Sequence, residues 1–120
     1  MSKKTPEPAG ADAGDAALTR AALFAALGDA TRLSLVTTLA SGQPRSVSQL
    51  AEGYTLTRQA ISKHLGILED VGLVHSVRAG RESLYALDPG PMRELRTYLE
   101  QVSEQWDLTL GRLKAFVEEG

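Results

Sequence analysis

A mostly α (α+β) fold, five helices with one two-stranded β-hairpin, is what this 120-residue sequence predicts. Three observations carry the prediction. Polar caps and glycines divide the chain into five helical segments. Between the fourth and fifth, two short runs rich in Val, Leu and Tyr flank a Gly-containing turn. The fifth segment repeats its apolar residues in steps of three and four.

The segments follow in order. Residues 1–14 (MSKKTPEPAGADAG) hold Pro, Gly, Ala and charge, with no large apolar side chain after Met1. Such a stretch cannot offset its ordering entropy and is expected to be a disordered tail before a single domain over residues 15–120. Asp15 fits as N-cap of a first helix, Ala16–Leu27, and Gly28 as its stop. Asp29 opens a second helix with Leu33, Val36 and Leu39 on one face, ended by Ser41-Gly42. Asp29 and Arg32 read as a cap and a surface pair. Gln43-Pro44-Arg45 reads as a loop, with Arg45 freely solvated or touching a phosphate. Ser46-Val47-Ser48-Gln49 is a capping box that starts a short third helix to Glu52. Thr57 caps a fourth, Arg58–Val71, closed by Gly72. The hairpin is Val74–Arg78 and Ser83–Leu87, and Asp88-Pro89 restarts the chain as the last helix.

Composition excludes several classes of function. There is no cysteine, hence no disulfide, thiolate metal site or cysteine nucleophile. No run of about 18 apolar residues exists, so no membrane span is expected, and Met1–Gly14 lacks the apolar stretch of a secretory signal. A cytoplasmic protein is the expectation. The net charge of −2 is unevenly spread: residues 88–120 carry four bases against seven acids, whereas residues 41–87 are mildly basic.

In the last helix Met92, Leu95, Leu99, Val102, Trp106, Leu110, Leu113 and Val117 form a near-heptad seam. It runs for roughly 40 Å at a rise of about 1.5 Å per residue. One small domain does not easily cover such a seam, so pairing with a second copy is expected, with Leu99, Val102, Trp106, Leu110 and Leu113 at its centre.

Short helix, tight turn, longer helix and hairpin are together the order of a winged helix-turn-helix. Its second helix fits the major groove of DNA, held by the first. On a wheel of about 100° per residue, Ile61, Leu65 and Leu68 share one face of the fourth helix. Gln59, Ser62 and Lys63 share the other, with Arg58 on the flank and Gly66 leaving the approach open. Arg and Gln pair with guanine and adenine edges; Ser and Lys bond bases or phosphates. His64 falls beside the apolar face, where a half-buried histidine bonded within the fold is expected. Arg78 and Arg81 bracket the hairpin tip, placed for phosphates or a narrow minor groove.

With these residues the chain resembles the ArsR/SmtB family of bacterial transcriptional repressors. The resemblance rests on Leu23-Phe24-Ala25-Ala26-Leu27-Gly28-Asp29-Ala30-Thr31-Arg32-Leu33 and on Gln59 through Val74, with its Ser62-Lys63-His64-Leu65 run and Gly72-Leu73-Val74. The resemblance implies a homodimer pairing through the first and last helices, here Leu18, Leu23 and Leu27 with the seam. It implies a palindromic double-stranded operator read by Thr57, Arg58, Gln59, Ser62, Lys63 and His64. Metal sensors of the family place Cys near the third helix, or Asp and His along the last. This chain has no Cys, and His64 and His75 are its only histidines. No metal or cofactor is therefore expected, and no inducer is indicated. A winged-helix module that binds protein instead of DNA, or a repressor with a His/carboxylate metal site, are the alternatives. An enzyme is not expected, since no nucleophile–base set or phosphate loop is present.

Overall fold

The computed structural model describes residues 19–119. The tail expected over residues 1–14, the cap at Asp15 and the pairing residue Leu18 lie outside the described residues. By packing, the chain divides at Asp88 into two compact units.

Among the described residues, the first unit holds four helices and a small sheet. Helix α1 (Thr19–Leu27) and α2 (Ala30–Leu39) meet at 96°. Gly28 lies at the corner, and its N–H bonds Ala25 O at 3.1 Å to end α1. Asp29 then caps α2, its Oδ2 accepting the Arg32 backbone N–H at 3.0 Å. That hydrogen bond, with a smaller contribution from the Arg32 charge, holds the Asp29 carboxyl below its ordinary pKa against partial desolvation. A carboxyl with a lowered folded-state pKa stabilises the fold above its unfolded-state pKa. The contribution fades as pH falls through the folded value. The melting temperature of wild type should thus fall more steeply below about pH 4 than that of Asp29→Asn, whose amide caps without titrating. Equal slopes in a pH series of thermal melts would refute this.

The face of α2 differs from expectation. Leu35, Val36 and Leu39 are buried, whereas Leu33 is 50% exposed. The apolar residues of α2 permit either phase, and packing against the other elements selects the one that buries Leu35. The loop expected at Gln43-Pro44-Arg45 also changes at its end. Arg45–Ser46 is a two-residue strand, β1, followed at once by helix α3 (Val47–Ala51). The capping box is present in both directions. Ser46 Oγ accepts the Gln49 N–H at 3.2 Å, and Gln49 Oε1 accepts the Ser46 N–H at 2.9 Å.

Helix α4 (Arg58–Asp70) ends one residue earlier than expected. Val71 is its C-cap and Gly72 adopts φ 84°. The Gly72 N–H bonds Glu69 O and the Leu73 N–H bonds Leu68 O, both at 3.0 Å, a Schellman closure that needs a residue free of the Cβ penalty. Strands β2 (Val74–Ala79) and β3 (Glu82–Leu87) form the hairpin. The expected two strands are joined by a third: the antiparallel order is β1-β3-β2, with Arg45 opposite Tyr85 and Ser46 opposite Leu84. Two residues leave no alternating pattern, which is why β1 read as loop. Leu23, Leu35, Leu39, Ile61, Leu65, Leu68, Leu73 and Val74 make the fully buried core of this unit.

The second unit is α5 (Pro89–Glu119), 31 residues of helix. Of its seam, Leu95 is buried, while Leu99, Val102, Trp106, Leu110, Leu113 and Val117 are exposed, Trp106 by 59%. Leu108 and Phe116 are exposed off the seam. No single helix among the described residues is long and apolar enough to cross a membrane.

Candidate nucleic-acid interface

The candidate reading surface starts at Thr57. Its Oγ1 accepts the Ala60 N–H at 3.0 Å and so fixes where α4 begins. The first turn of α4 contains no acid. No acid of that turn offsets the positive end of the helix dipole, and Arg58 is exposed beside it, a combination that favours phosphate. Ile61, Leu65 and Leu68 have no exposed surface and anchor one side of the helix. Arg58, Gln59, Ser62 and Lys63 are exposed on the other. A Cβ built at Gly66 would meet nothing within 4 Å, so this face is open. The burial follows the wheel closely because a helix buried on one side must turn its polar arc outward.

Three elements surround this helix. Ser46, Val47 and Ser48 lie on one side, Arg58 and Ser62 on the other, and Glu82, Ser83 and Tyr85 of β3 close an open depression of about 330 Å³. Hydroxyls and one guanidinium dominate it, with Glu82 as the acid on its rim. Pockets for small organic ligands are mostly apolar; this lining suits a sugar–phosphate strand better.

The hairpin turn is Gly80-Arg81, with Ala79 opposite Glu82. Gly80 has φ 65° and Arg81 does not have positive φ, the pattern of a type II′ turn. Arg78 and Arg81 are exposed at this tip. Ser76 Oγ donates to Glu69 Oε2 at 3.1 Å and ties β2 to the end of α4. Neither Ser76 nor Glu69 announced this by spacing. The same holds for Tyr54, whose hydroxyl donates to Ser34 Oγ at 2.7 Å and fastens the turn before α4 to α2.

Three expected site residues are placed differently. His64 does not join the reading face. It is half-buried, with Nδ1 3.3 Å from Arg32 Nη1 and 3.8 Å from Asp29 Oδ2. It sits one step beside the buried stripe, as its wheel position indicated, and the family resemblance alone had put it on DNA. Leu23, expected at a dimer contact, is 1% exposed and fills the unit's own core. Leu23 and Ala26, three residues apart on one face, both point inward because α1 must cover that core. Arg45 is half-buried on β1 instead of freely solvated; its Nε is sealed and has no hydrogen-bond partner. Leu27 is half-buried. Among the described residues, no group of three or more His, Asp or Glu could hold a metal ion.

Comparison with known proteins fits this geometry. A helix-turn-helix domain family matches residues 27–77. The HTH-type transcriptional regulator Rv2034 of Mycobacterium tuberculosis is 41% identical over 76 residues, 63% of this chain and 70% of that protein. An uncharacterized HTH-type transcriptional regulator of Bacillus subtilis, YuzN, is 36% identical over 80 residues, 62% of this chain and 87% of its own. Among solved structures, an ArsR-like transcriptional regulator from Rhodococcus sp. RHA1 superposes with a TM-score of 0.72 at 36% identity, covering 85% of this chain and 95% of that one. A homodimeric winged helix-turn-helix DNA-binding domain from Mycobacterium bovis gives 0.63, covering 85% and 92%; at 22% identity it shows a shared fold.

Proposed function

The chain belongs to the ArsR family of winged helix-turn-helix transcriptional regulators, and from that premise we propose that it is a homodimeric repressor reading a palindromic operator. It is a regulator and not an enzyme. One observation carries the proposal. A capped helix, immobilised by Ile61, Leu65 and Leu68, presents Gln59, Ser62 and Lys63 to solvent beside an open Gly66. Gln59 and Ser62 read base edges, Arg58 and Lys63 hold phosphates at the helix start, and Arg78 and Arg81 extend the grip to the flanking backbone. Pairing of two copies through the exposed seam of α5 sets two such helices into half-sites about one helical turn, ~10 bp, apart or a multiple of it.

A gel-shift titration against the DNA upstream of its own coding sequence tests this. Binding should be sequence-selective and weaken steeply with salt. The Arg81→Ala variant should bind operator and random duplex more weakly by a similar factor. Its plot of log affinity against log salt should be shallower by about one unit of slope. Absence of salt-dependent binding to any duplex would overturn the proposal.

A further inference from the structure

The cluster of Asp29, Arg32 and His64 has a role that the reading surface leaves unassigned. Arg32 joins three helices. Its backbone N–H takes the α2 cap from Asp29, and its Nε donates to Ala26 O in the last turn of α1 at 2.7 Å. Its Nη1 meets His64 Nδ1 on α4 at 3.3 Å. A guanidinium only donates, so His64 Nδ1 is the acceptor and the ring proton sits on Nε2. Asp29 Oδ2, at 3.8 Å from that nitrogen, is too far for a hydrogen bond and balances the guanidinium charge.

We propose that Arg32 is a positioning residue for operator reading, and that His64 acts through Arg32 to set the angle of α4 relative to α1. The inference rests on the DNA-reading role proposed above. His64 lies five positions after Gln59, about 7.5 Å along the helix axis. A small rotation at the His64 end moves the Gln59 amide by several tenths of an ångström. Bidentate base contacts tolerate little more than about 0.5 Å. Phosphate contacts are longer-ranged and adapt, so losing the tie should spare non-specific binding.

Three variants test it in full-length protein. His64→Leu removes the acceptor and keeps bulk; His64→Asn restores an acceptor near the Nδ1 position; Arg32→Lys keeps the charge but cannot span both partners. His64→Leu and Arg32→Lys should each weaken operator binding about tenfold, as for one good base contact, with random-duplex affinity and dimer content unchanged. His64→Asn should stay within about threefold of wild type. The double variant Arg32→Lys/His64→Leu should be no weaker than either single one, because both remove the same tie. Should His64→Leu not fold, Arg32→Lys against His64→Asn gives the same contrast. Full additivity, an Asn variant as weak as the Leu variant, a parallel loss on random duplex, or operator affinities all equal to wild type would each overturn the positioning role. Wild type that binds no duplex would instead overturn the DNA-reading role itself and this inference with it.

Discussion

With pairing through α5 as proposed, replacing Val102 by Glu should leave monomers and weaken operator binding by about two to three orders of magnitude. Val102 is mid-seam on α5 and 44% exposed in the single chain. A charge there costs a lone helix little, since an exposed site tolerates substitution within about 0.5 kcal/mol. In a pair, the same change buries two unpaired carboxylates against the Trp106 and Leu99 side chains of the seam. An uncompensated buried charge costs about 3–5 kcal/mol. The loss at the operator is larger than the loss of any one contact. A dimer engages its second half-site at high effective concentration, and that advantage of about 10²–10⁴ vanishes for a monomer. Sedimentation should return the 12.8 kDa species, with helical circular dichroism retained. A variant that remains dimeric and binds as well as wild type would show that the seam is not the pairing surface.

The second large effect is on base preference. Gln59→Ala should weaken operator binding by about 1–3 kcal/mol, roughly fivefold to 150-fold, and leave random duplex almost unaffected. Gln59 is exposed at the second position of α4, in a first turn that holds no acid. Its amide can present a donor and an acceptor together, the pairing that adenine offers in the major groove. In a selection from randomised operators, the variant should lose its preference at one symmetric pair of positions and keep the others. An equal loss on all sequences would move Gln59 from base to backbone contact.

What the amino acids declared in advance was local. The box from Ser46 to Gln49, the Thr57 cap, the Gly72 closure and the Gly80 turn each depend on a residue type within four positions of its partner. All four form as the spacing predicts. The buried stripe of α4 was equally plain, because Ile61, Leu65 and Leu68 recur at helical intervals. The misses are tertiary. Leu33 and Leu35 are both apolar, and only the packing of α2 decides that Leu35 goes in. Leu23 cannot be assigned to a core or an interface until α1 is placed over its neighbours. Strand β1 owes its existence to Leu84 and Tyr85, about forty positions away. Arg32 and His64 are thirty-two apart, and no periodicity links them.

The register of β1 bears on how the hairpin can change. Only Leu84 and Tyr85 of β3 are braced by a neighbour on their outer side, while Glu82 and Ser83 pair with β2 alone. The lower rungs also carry Ser46, which caps the start of α3, so trimming them would unravel the helix that supports the reader. The outer rungs and the Gly80-Arg81 tip carry no such obligation. Lengthening there by matched pairs of residues would extend the arm by about 3.4 Å per pair without disturbing its root. The molecule thus has an adjustable finger on a fixed knuckle.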